Sequence, residues 1–313
     1  MKKGLLFLVS LIWMIPAIAQ SKDYFKVEQG NAGGNSYPEF YNKKAKKAAQ
    51  HINDYLQLTL AKTIFAENTD STGTSTWTYT TYINNKNLLS VSCRGGDGQE
   101  RHFLFNAATG SLISIQDVFT VNGIAAIRRK MLQHYKEQFS KNNLPFKMEG
   151  NEKCVKADIQ EFLITSDSLL IFPGNCFNTD TSGQVNQLYT QVGFSTFMLS
   201  NYLSEYGKAM FGISRKPRLK KFSSGTVAGL YRGSIDGEAV LLQLDAPFEK
   251  SLSGTLYFTQ SKKAVPFEGS FKSNRLEISK GAERLSLSIF PGTVSGQRKA
   301  GNKVLSNFSL TRQ

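Results

Sequence analysis

The chain has few of the residues that build metal centres and disulfide frameworks. Its 313 residues include only three cysteines and three histidines. No Cys-x-x-Cys pair occurs, and no two histidines have the His-Glu-x-x-His spacing that lets one helix turn hold a metal. We therefore expect no metal and no cofactor, and too few bridges for a small disulfide-stapled scaffold.

Two of the cysteines are still expected to pair. Cys154 and Cys176 flank a predicted helix-then-strand stretch and would be bridged in an oxidising compartment. Cys93 ends the alternating run that begins at Leu89, so we interpret it as a strand residue with a small apolar side chain and not as a reactive thiol. The histidines, which we expect to be surface or packed side chains, are His51, His102 and His134.

The first twenty residues contain an apolar run that is too short to span a membrane. Lys2 and Lys3 precede an apolar run from Leu5 to Ile15, and Ala17-Ile18-Ala19 has the small-residue pattern of a cleavage site. The stretch from Leu5 to the expected cleavage site at Ala19 covers 15 residues, whereas a span needs roughly 20. We expect residues 1–19 to be a signal peptide and the mature protein to be periplasmic or secreted. No membrane span is expected after cleavage.

Acidic residues are in the minority. The chain has 38 Lys and Arg against 24 Asp and Glu, so its formal net charge is +14, and loss of the two lysines in residues 1–19 leaves +12. Outside the cytoplasm such a field favours acidic polymers, among them peptidoglycan, lipopolysaccharide and other anionic surface glycans. We expect no nucleic-acid partner there. The alternative is that the charge only keeps the surface soluble.

The first part of the chain predicts an α+β domain. Residues 20–42 are polar and glycine-bearing, and we expect a flexible segment. Residues 43–214 predict an antiparallel sheet flanked by helices. The expected elements are a helix over 42–63, strands at 74–83, 88–93 and 101–106, a helix capped by Asn122, a hairpin at 162–165 and 169–172, a strand at 185–192, and a helix from Phe194 to Gly207.

A basic segment around a proline follows. Its five positive residues are Arg215, Lys216, Arg218, Lys220 and Lys221. We interpret residues 215–225 as the linker between two domains. Two alternatives remain for its function: a segment that binds a polyanion or is open to proteases, and a solvated connection.

Residues 226–313 predict a separate all-β domain. Eight short alternating runs are separated by turns, without a helical pattern between them. Such a series is typical of a small meander barrel or sandwich. Glycines at positions where sharply bent barrel strands often need them are Gly233, Gly254, Gly269 and Gly296.

Signatures of catalysis are incomplete. The run Gly193 to Phe197 begins like a nucleophile elbow but lacks the closing glycine. A glycosidase needs two carboxylates roughly 5 to 9 Å apart, which a sequence cannot show. Glu67 with Asp70, and Asp97 with Glu100, lie on predicted loops, where solvated charge is the default. We therefore expect a non-enzymatic protein, with a cryptic cell-wall hydrolase as an alternative.

Aromatic residues in the first predicted strand offer a surface on which a glycan could stack. Trp77 and Tyr79 alternate along the strand and so share one face, while Tyr82 lies on the other. The alternative for Trp77 is packing in the core. With the five basic residues of the linker, Trp77 and Tyr79 are the predicted binding residues.

The first domain resembles a family of extracytoplasmic domains that occurs in a lysozyme-sensing anti-sigma factor and ahead of a peptidoglycan deacetylase. The resemblance covers most of residues 37–206. The residues that carry it are Pro38, Ile52-Asn53, Tyr79, Tyr82, Leu89-Ser90-Val91, His102 to Asn106, Thr109-Gly110, Leu112, Asp117-Val118-Phe119, Phe162 to Ile164, Leu169 to Phe172, Gly183 and Val185. The resemblance implies the α+β fold, and lysozyme binding or inhibition as an alternative function.

The last domain is weakly similar to avidin-like and lipocalin-like barrels, through runs such as Gly254-Thr255-Leu256-Tyr257. These observations together predict an exported, non-enzymatic envelope protein that binds a cell-wall component, a surface glycan or a protein partner. The positive net charge argues against lysozyme binding, because lysozymes are typically basic and so is this chain.

Overall fold

The computed structural model describes most of the chain after its first 22 residues. The described ranges are 23–32, 35–61, 76–96, 98–144, 161–172, 191–211, 213–214, 225–247, 251–280 and 283–313. The predicted signal peptide, the predicted Cys154–Cys176 bridge, and the basic residues Arg215, Lys216, Arg218, Lys220 and Lys221 lie outside the described residues, as does most of the strand expected at 185–192.

The chain begins with a β-hairpin, where the sequence predicted a flexible segment. Strands β1 (Lys26–Ala32) and β2 (Asn35–Tyr41) pair antiparallel, so the prediction for residues 20–42 is wrong over this part. Phe25 and Phe40 are fully buried, with their rings edge to face at 6.2 Å. The side chain of Asn53 donates to the Phe40 carbonyl at 3.0 Å and accepts from the Phe40 amide at 2.9 Å. Two aromatic anchors and this amide clamp order a segment whose composition is polar.

One helix and a three-stranded sheet follow, as predicted. Helix α1 (Lys46–Leu56) continues into a π-helical turn at Gln57–Ala61. Strands β3 (Trp77–Asn84), β4 (Leu88–Gly95) and β5 (Glu100–Asn106) form an antiparallel meander in chain order. One face of this meander packs against the apolar side of α1.

A second group of helices and a small sheet cover the other face of the meander. The elements are α2 (Ile115–Val118), α3 (Val121–Lys141), β6 (Glu161–Ile164), β7 (Ser168–Phe172), β8 (Val192–Ser195), α4 (Thr196–Leu199), a 3₁₀ turn at Ser200–Tyr202, and α5 (Glu205–Met210). Strands β6, β7 and β8 pair in that order. A hydrophobic cluster joins them to α3 and to Leu88 and Leu104 of the meander.

Two helix predictions in this region need correction. Helix α3 is capped by Thr120, whose hydroxyl accepts from the Gly123 amide at 3.0 Å, and not by Asn122. The single helix expected from Phe194 to Gly207 is wrong. Ser204 starts a new helix, because its hydroxyl accepts a hydrogen bond from the Gly207 amide at 3.0 Å. Phe197 is 89% exposed, so the apolar residues of the predicted helix do not form one buried stripe.

The last part of the chain is a closed eight-stranded barrel. Its strands are β9 (Gly229–Ile235), β10 (Glu238–Leu244), β11 (Ser251–Phe258), β12 (Lys263–Lys272), β13 (Arg275–Lys280), β14 (Glu283–Phe290), β15 (Thr293–Ala300) and β16 (Lys303–Arg312). Consecutive strands pair antiparallel, and β16 pairs with β9 to close the sheet. The predicted α+β fold followed by an eight-stranded meander is confirmed, and it is a barrel and not a sandwich.

The barrel packs its outer surface on α1. Leu230, Leu241 and Tyr257 face outward and belong to the same hydrophobic cluster as Tyr55 and Leu56 of α1. The hydroxyl of Thr255 also donates to the Leu58 carbonyl in the π-helical turn at 3.3 Å. Helix α1 therefore lies between the amino-terminal meander and the barrel. Among the described residues, no helix combines the length and the apolar character needed to cross a bilayer.

A candidate anion-binding groove

Of the two predicted aromatic binding residues, one is inaccessible. Trp77 is 6% exposed and belongs to the hydrophobic cluster between α1 and the meander, so the interpretation as a stacking surface is wrong for this residue. Tyr79 is 40% exposed and Tyr82 is 41% exposed. The aromatic surface is reduced to tyrosines on β3.

The isolated cysteine and the histidine of the meander are packed residues. Cys93 lies buried on β4, so its prediction as a strand residue is confirmed, and burial raises the pKa of its thiol to about 12. Burial lowers the pKa of His102 to about 4, so its ring is neutral at pH 7. Among the described residues, no group of three or more His, Cys, Asp and Glu side chains is arranged to hold a metal.

Basic residues from distant parts of the chain meet in an open groove of about 640 Å³. The groove lies between the start of α1 and the outer surface of β9 and β16. Its lining residues are Lys46, Lys47, Gln50, His51, Arg232, Thr311, Arg312 and Gln313. No Asp or Glu side chain is among them.

The barrel register brings Arg232 to this groove. Arg232 lies opposite Leu241 on β10 and two residues after Leu230, so the three side chains share the outward face of the barrel. The two leucines pack against α1, which holds Arg232 beside the first turns of that helix. On the other side Arg232 faces Thr311 of β16.

Three of the groove cations are free to meet a ligand. Lys46, Lys47 and Arg232 are exposed and form no ion pair with a described side chain. Arg312 has a different role, because its guanidinium donates to the carbonyls of Thr226 and Ala228, each at 2.7 Å. Arg312 therefore braces the start of the barrel and forms one wall of the groove.

His51 lies on the floor of the groove, where its surroundings favour the neutral form of the ring. Burial lowers its pKa, and the charges of Lys47 and Arg232 lower it further, against the opposing effect of a backbone hydrogen bond. Its Nδ1 is 3.0 Å from the Thr109 carbonyl oxygen. A carbonyl only accepts, so Nδ1 carries the proton, and Nε2 is left as an acceptor.

A carboxylate within electrostatic reach of Arg232 belongs to Asp54, which is 2% exposed. It accepts a hydrogen bond from the Gln50 amide at 2.6 Å. Burial raises the pKa of Asp54, while the Gln50 hydrogen bond and the charge of Arg232 lower it. Asp54 is therefore buried and is not available at the groove surface.

The start of α1 is unusually favourable for an anion. Ala45 at the N-cap has no side-chain oxygen, and the first turn has no acidic residue. Lysines stand at positions 43, 44, 46 and 47, where the helix dipole disfavours each cation by about 0.3–1 kcal/mol. An anion bound here would satisfy both the uncapped amides and the lysines.

Sequence reasoning missed this groove. In the sequence these lysines belong to the helix predicted over 42–63, and Arg232 belongs to one of the alternating runs predicted in residues 226–313. A signal was present, since Lys43-Lys44-Ala45-Lys46-Lys47 opens a helix where acidic residues are preferred. The partner strand could not be predicted, because the contact depends on which barrel strands face α1.

A search among protein-family models and among curated proteins finds no match to this chain. The resemblance to the lysozyme-sensing and deacetylase-associated domains therefore stays a hypothesis that depends on the residues given above.

Proposed function

We propose that the protein is an exported, non-enzymatic binding protein of the cell envelope. In this proposal the groove between α1 and the barrel binds phosphate or carboxylate groups of a cell-wall component or surface glycan. The observation that carries the proposal is the convergence of Lys46, Lys47 and Arg232, without ion-pair partners among the described side chains, in one groove that no acidic side chain lines. Export remains an expectation from residues 1–19.

An open groove of this kind favours a polymer over a single small anion. Each exposed contact between a cation and an anion contributes only about 0.2–1 kcal/mol, so one anion would bind weakly. A glycan with repeated acidic groups presents many anions at high local concentration, and successive contacts then add avidity. The formal net charge, which is +12 after loss of Lys2 and Lys3, attracts such polymers from a distance and raises the association rate.

The first experiment measures retention on insoluble peptidoglycan and on lipopolysaccharide-coated beads. We expect retention in 20 mM salt and release in 500 mM salt. The reason is that the screening length between exposed charges falls as salt is added, from about 10 Å at 0.1 M to about 3 Å at 1 M. Absence of retention on both materials even in 20 mM salt would remove the proposal.

A charge-matched pair of variants separates the groove from general electrostatics. The triple variant K46Q/K47Q/R232Q should bind about tenfold more weakly, since three contacts of about 0.5 kcal/mol total about 1.5 kcal/mol. The control K86Q/K141Q/K272Q loses the same charge from exposed sites in the turn between β3 and β4, at the end of α3 and at the end of β12, and should stay within about twofold of the unmodified protein. Equal losses in the two variants would show that net charge alone causes retention.

A further inference from the structure

One end of the barrel is open and apolar inside. A cavity of about 370 Å³ enters the barrel at the end where β9, β11, β13 and β15 finish. Its apolar walls are formed by Ile235, Leu256, Phe258, Val265, Ile278 and Leu285. This volume is at the lower end of the range of roughly 300–1,000 Å³ that small-molecule sites occupy.

The cavity is a cup and not a channel, because the next layer of the barrel is filled. Two residues further along their strands, Phe267 follows Val265, and Gly254 precedes Leu256. A Cβ built on Gly254 would lie 2.9 Å from the Phe267 ring. In the same way a Cβ on Gly296 would lie 2.4 Å from the ring of Phe308. The rings occupy the space that the glycines leave, and they close the floor of the cup.

The rim of the cup carries excess positive charge. Lys263, Arg284 and Arg298 lie at the opening, with Glu238 as the acidic residue among the lining side chains. Arg298 forms an ion pair with Asp236, so its charge is largely compensated. Lys263 and Arg284 are exposed and have no ion pair with a described side chain.

Glu238 does not neutralise these two cations through a direct contact. Its carboxylate accepts a hydrogen bond from the Ser261 amide at 2.8 Å. That backbone hydrogen bond lowers the pKa of Glu238 and holds the carboxylate on the turn between β11 and β12. The rim therefore combines two available cations with one fixed anion, above an apolar interior.

We propose that this cup is a second binding site, separate from the groove on α1, and that it binds a single-chain anionic amphiphile. The apolar chain enters the cup, where it is removed from water. The carboxylate or phosphate head group stays at the opening beside Lys263 and Arg284. The cup volume suits one short chain, and the exposed rim leaves the charged head group solvated.

The test uses isothermal titration calorimetry of the full-length protein with short-chain probes that remain monomeric in solution. The probes are octanoate and octyl phosphate, with octanol as the uncharged analogue and acetate as the analogue without a chain. We expect octanoate or octyl phosphate, or both, to bind about fivefold more tightly than octanol, as two exposed ion contacts allow, and acetate not to bind. The tighter of the two anions identifies the head group.

Matched variants assign the binding to the cup. K263Q/R284Q should weaken octanoate binding about fivefold and leave octanol binding unchanged. The control K272Q/R275Q removes the same charge from exposed residues at the other end of the barrel and should not change either affinity. V265F narrows the cup and should weaken both ligands. The groove variant K46Q/K47Q/R232Q should bind octanoate normally, so this proposal can fail or succeed independently of the glycan proposal.

Three outcomes would overturn the inference. The first is that neither anionic probe binds the unmodified protein. The second is that octanol binds as tightly as octanoate. The third is that K263Q/R284Q, which changes only exposed side chains and should fold normally by circular dichroism, leaves octanoate binding unchanged.

Discussion

Lowering the pH should destabilise the folded protein through His102, and replacing this residue with glutamine should remove that part of the effect. His102 lies on β5, opposite Ser92, and is 8% exposed. Burial lowers its pKa from 6.5 to about 4, with smaller and opposing contributions from Glu100 and Arg101. The unfolded chain binds a proton near pH 6.5, whereas the folded chain does so only near pH 4.

The sign and the size of the pH effect on stability follow from the difference between these two pKa values. Between pH 6.5 and pH 4 the unfolded state binds more protons than the folded state, so stability falls as the pH falls. The stabilisation is fully present above pH 6.5 and is lost as the pH decreases toward 4. With these two pKa values, the loss between pH 7.5 and pH 5 is about 2 kcal/mol, and the full difference below pH 4 is roughly 3 kcal/mol.

Urea denaturation at pH 7.5 and pH 5, followed by circular dichroism, measures the effect. The unmodified protein should lose about 2 kcal/mol more than H102Q between the two pH values, since the contributions of the other groups are common to both. The variant H134Q controls for the loss of an imidazole at a half-buried site on α3. If H102Q loses as much stability on acidification as the unmodified protein, the buried neutral state of His102 is refuted.

Three further changes test the packing. N53A leaves two buried backbone groups of β2, the Phe40 amide and carbonyl, without their partner. It should lower the free energy of unfolding, measured in urea, by about 2–4 kcal/mol. The control N87A, in an exposed turn, should change it by less than about 0.5 kcal/mol. G296A forces a methyl group against a ring on β16 and should cost about 1–3 kcal/mol by thermal unfolding, while G225A, which has open space around its Cα, should be nearly neutral. Iodoacetamide followed by mass spectrometry should modify Cys93 only in denaturant, and modification of the native protein at that residue would contradict its burial.

The barrel could be predicted because its local pattern and its tertiary pairing agree. Each strand alternates inward apolar and outward residues, and each pairs with the next strand along the chain. In β10, for example, Val240, Leu242 and Leu244 belong to the barrel core. A meander needs no long-range information beyond the closing pair between β16 and β9.

The amino-terminal hairpin could not be predicted from composition. Glycine and asparagine dominate residues 29–35, but the ordering depends on Phe25 and Phe40 and on Asn53, which follows in α1. A few buried aromatic side chains and one amide clamp outweigh the polar average. Only the tertiary contact shows that the asparagine and the strand belong together.

The candidate groove could not be predicted either, because it also depends on a tertiary contact. Its lysines are visible in the sequence as a run, but Arg232 joins them only because the outer surface of β9 packs against α1. Conversely, Trp77 was expected to be a candidate for stacking and is buried, because the face of β3 that carries it is covered by the core at that end. Burial and long-range proximity are the properties that a single sequence does not provide.

The most direct test of the groove is hydrogen exchange, measured by mass spectrometry with and without solubilised peptidoglycan fragments or lipopolysaccharide in 20 mM salt. The first-turn amides of α1 lack a side-chain cap, so they should exchange fast in the free protein and more slowly with ligand bound. We predict protection concentrated in residues 43–51, together with the segments around Arg232 and Thr311. Binding without any change in residues 43–51, or with protection confined to the basic residues 215–221, would contradict the assignment of the site to this groove.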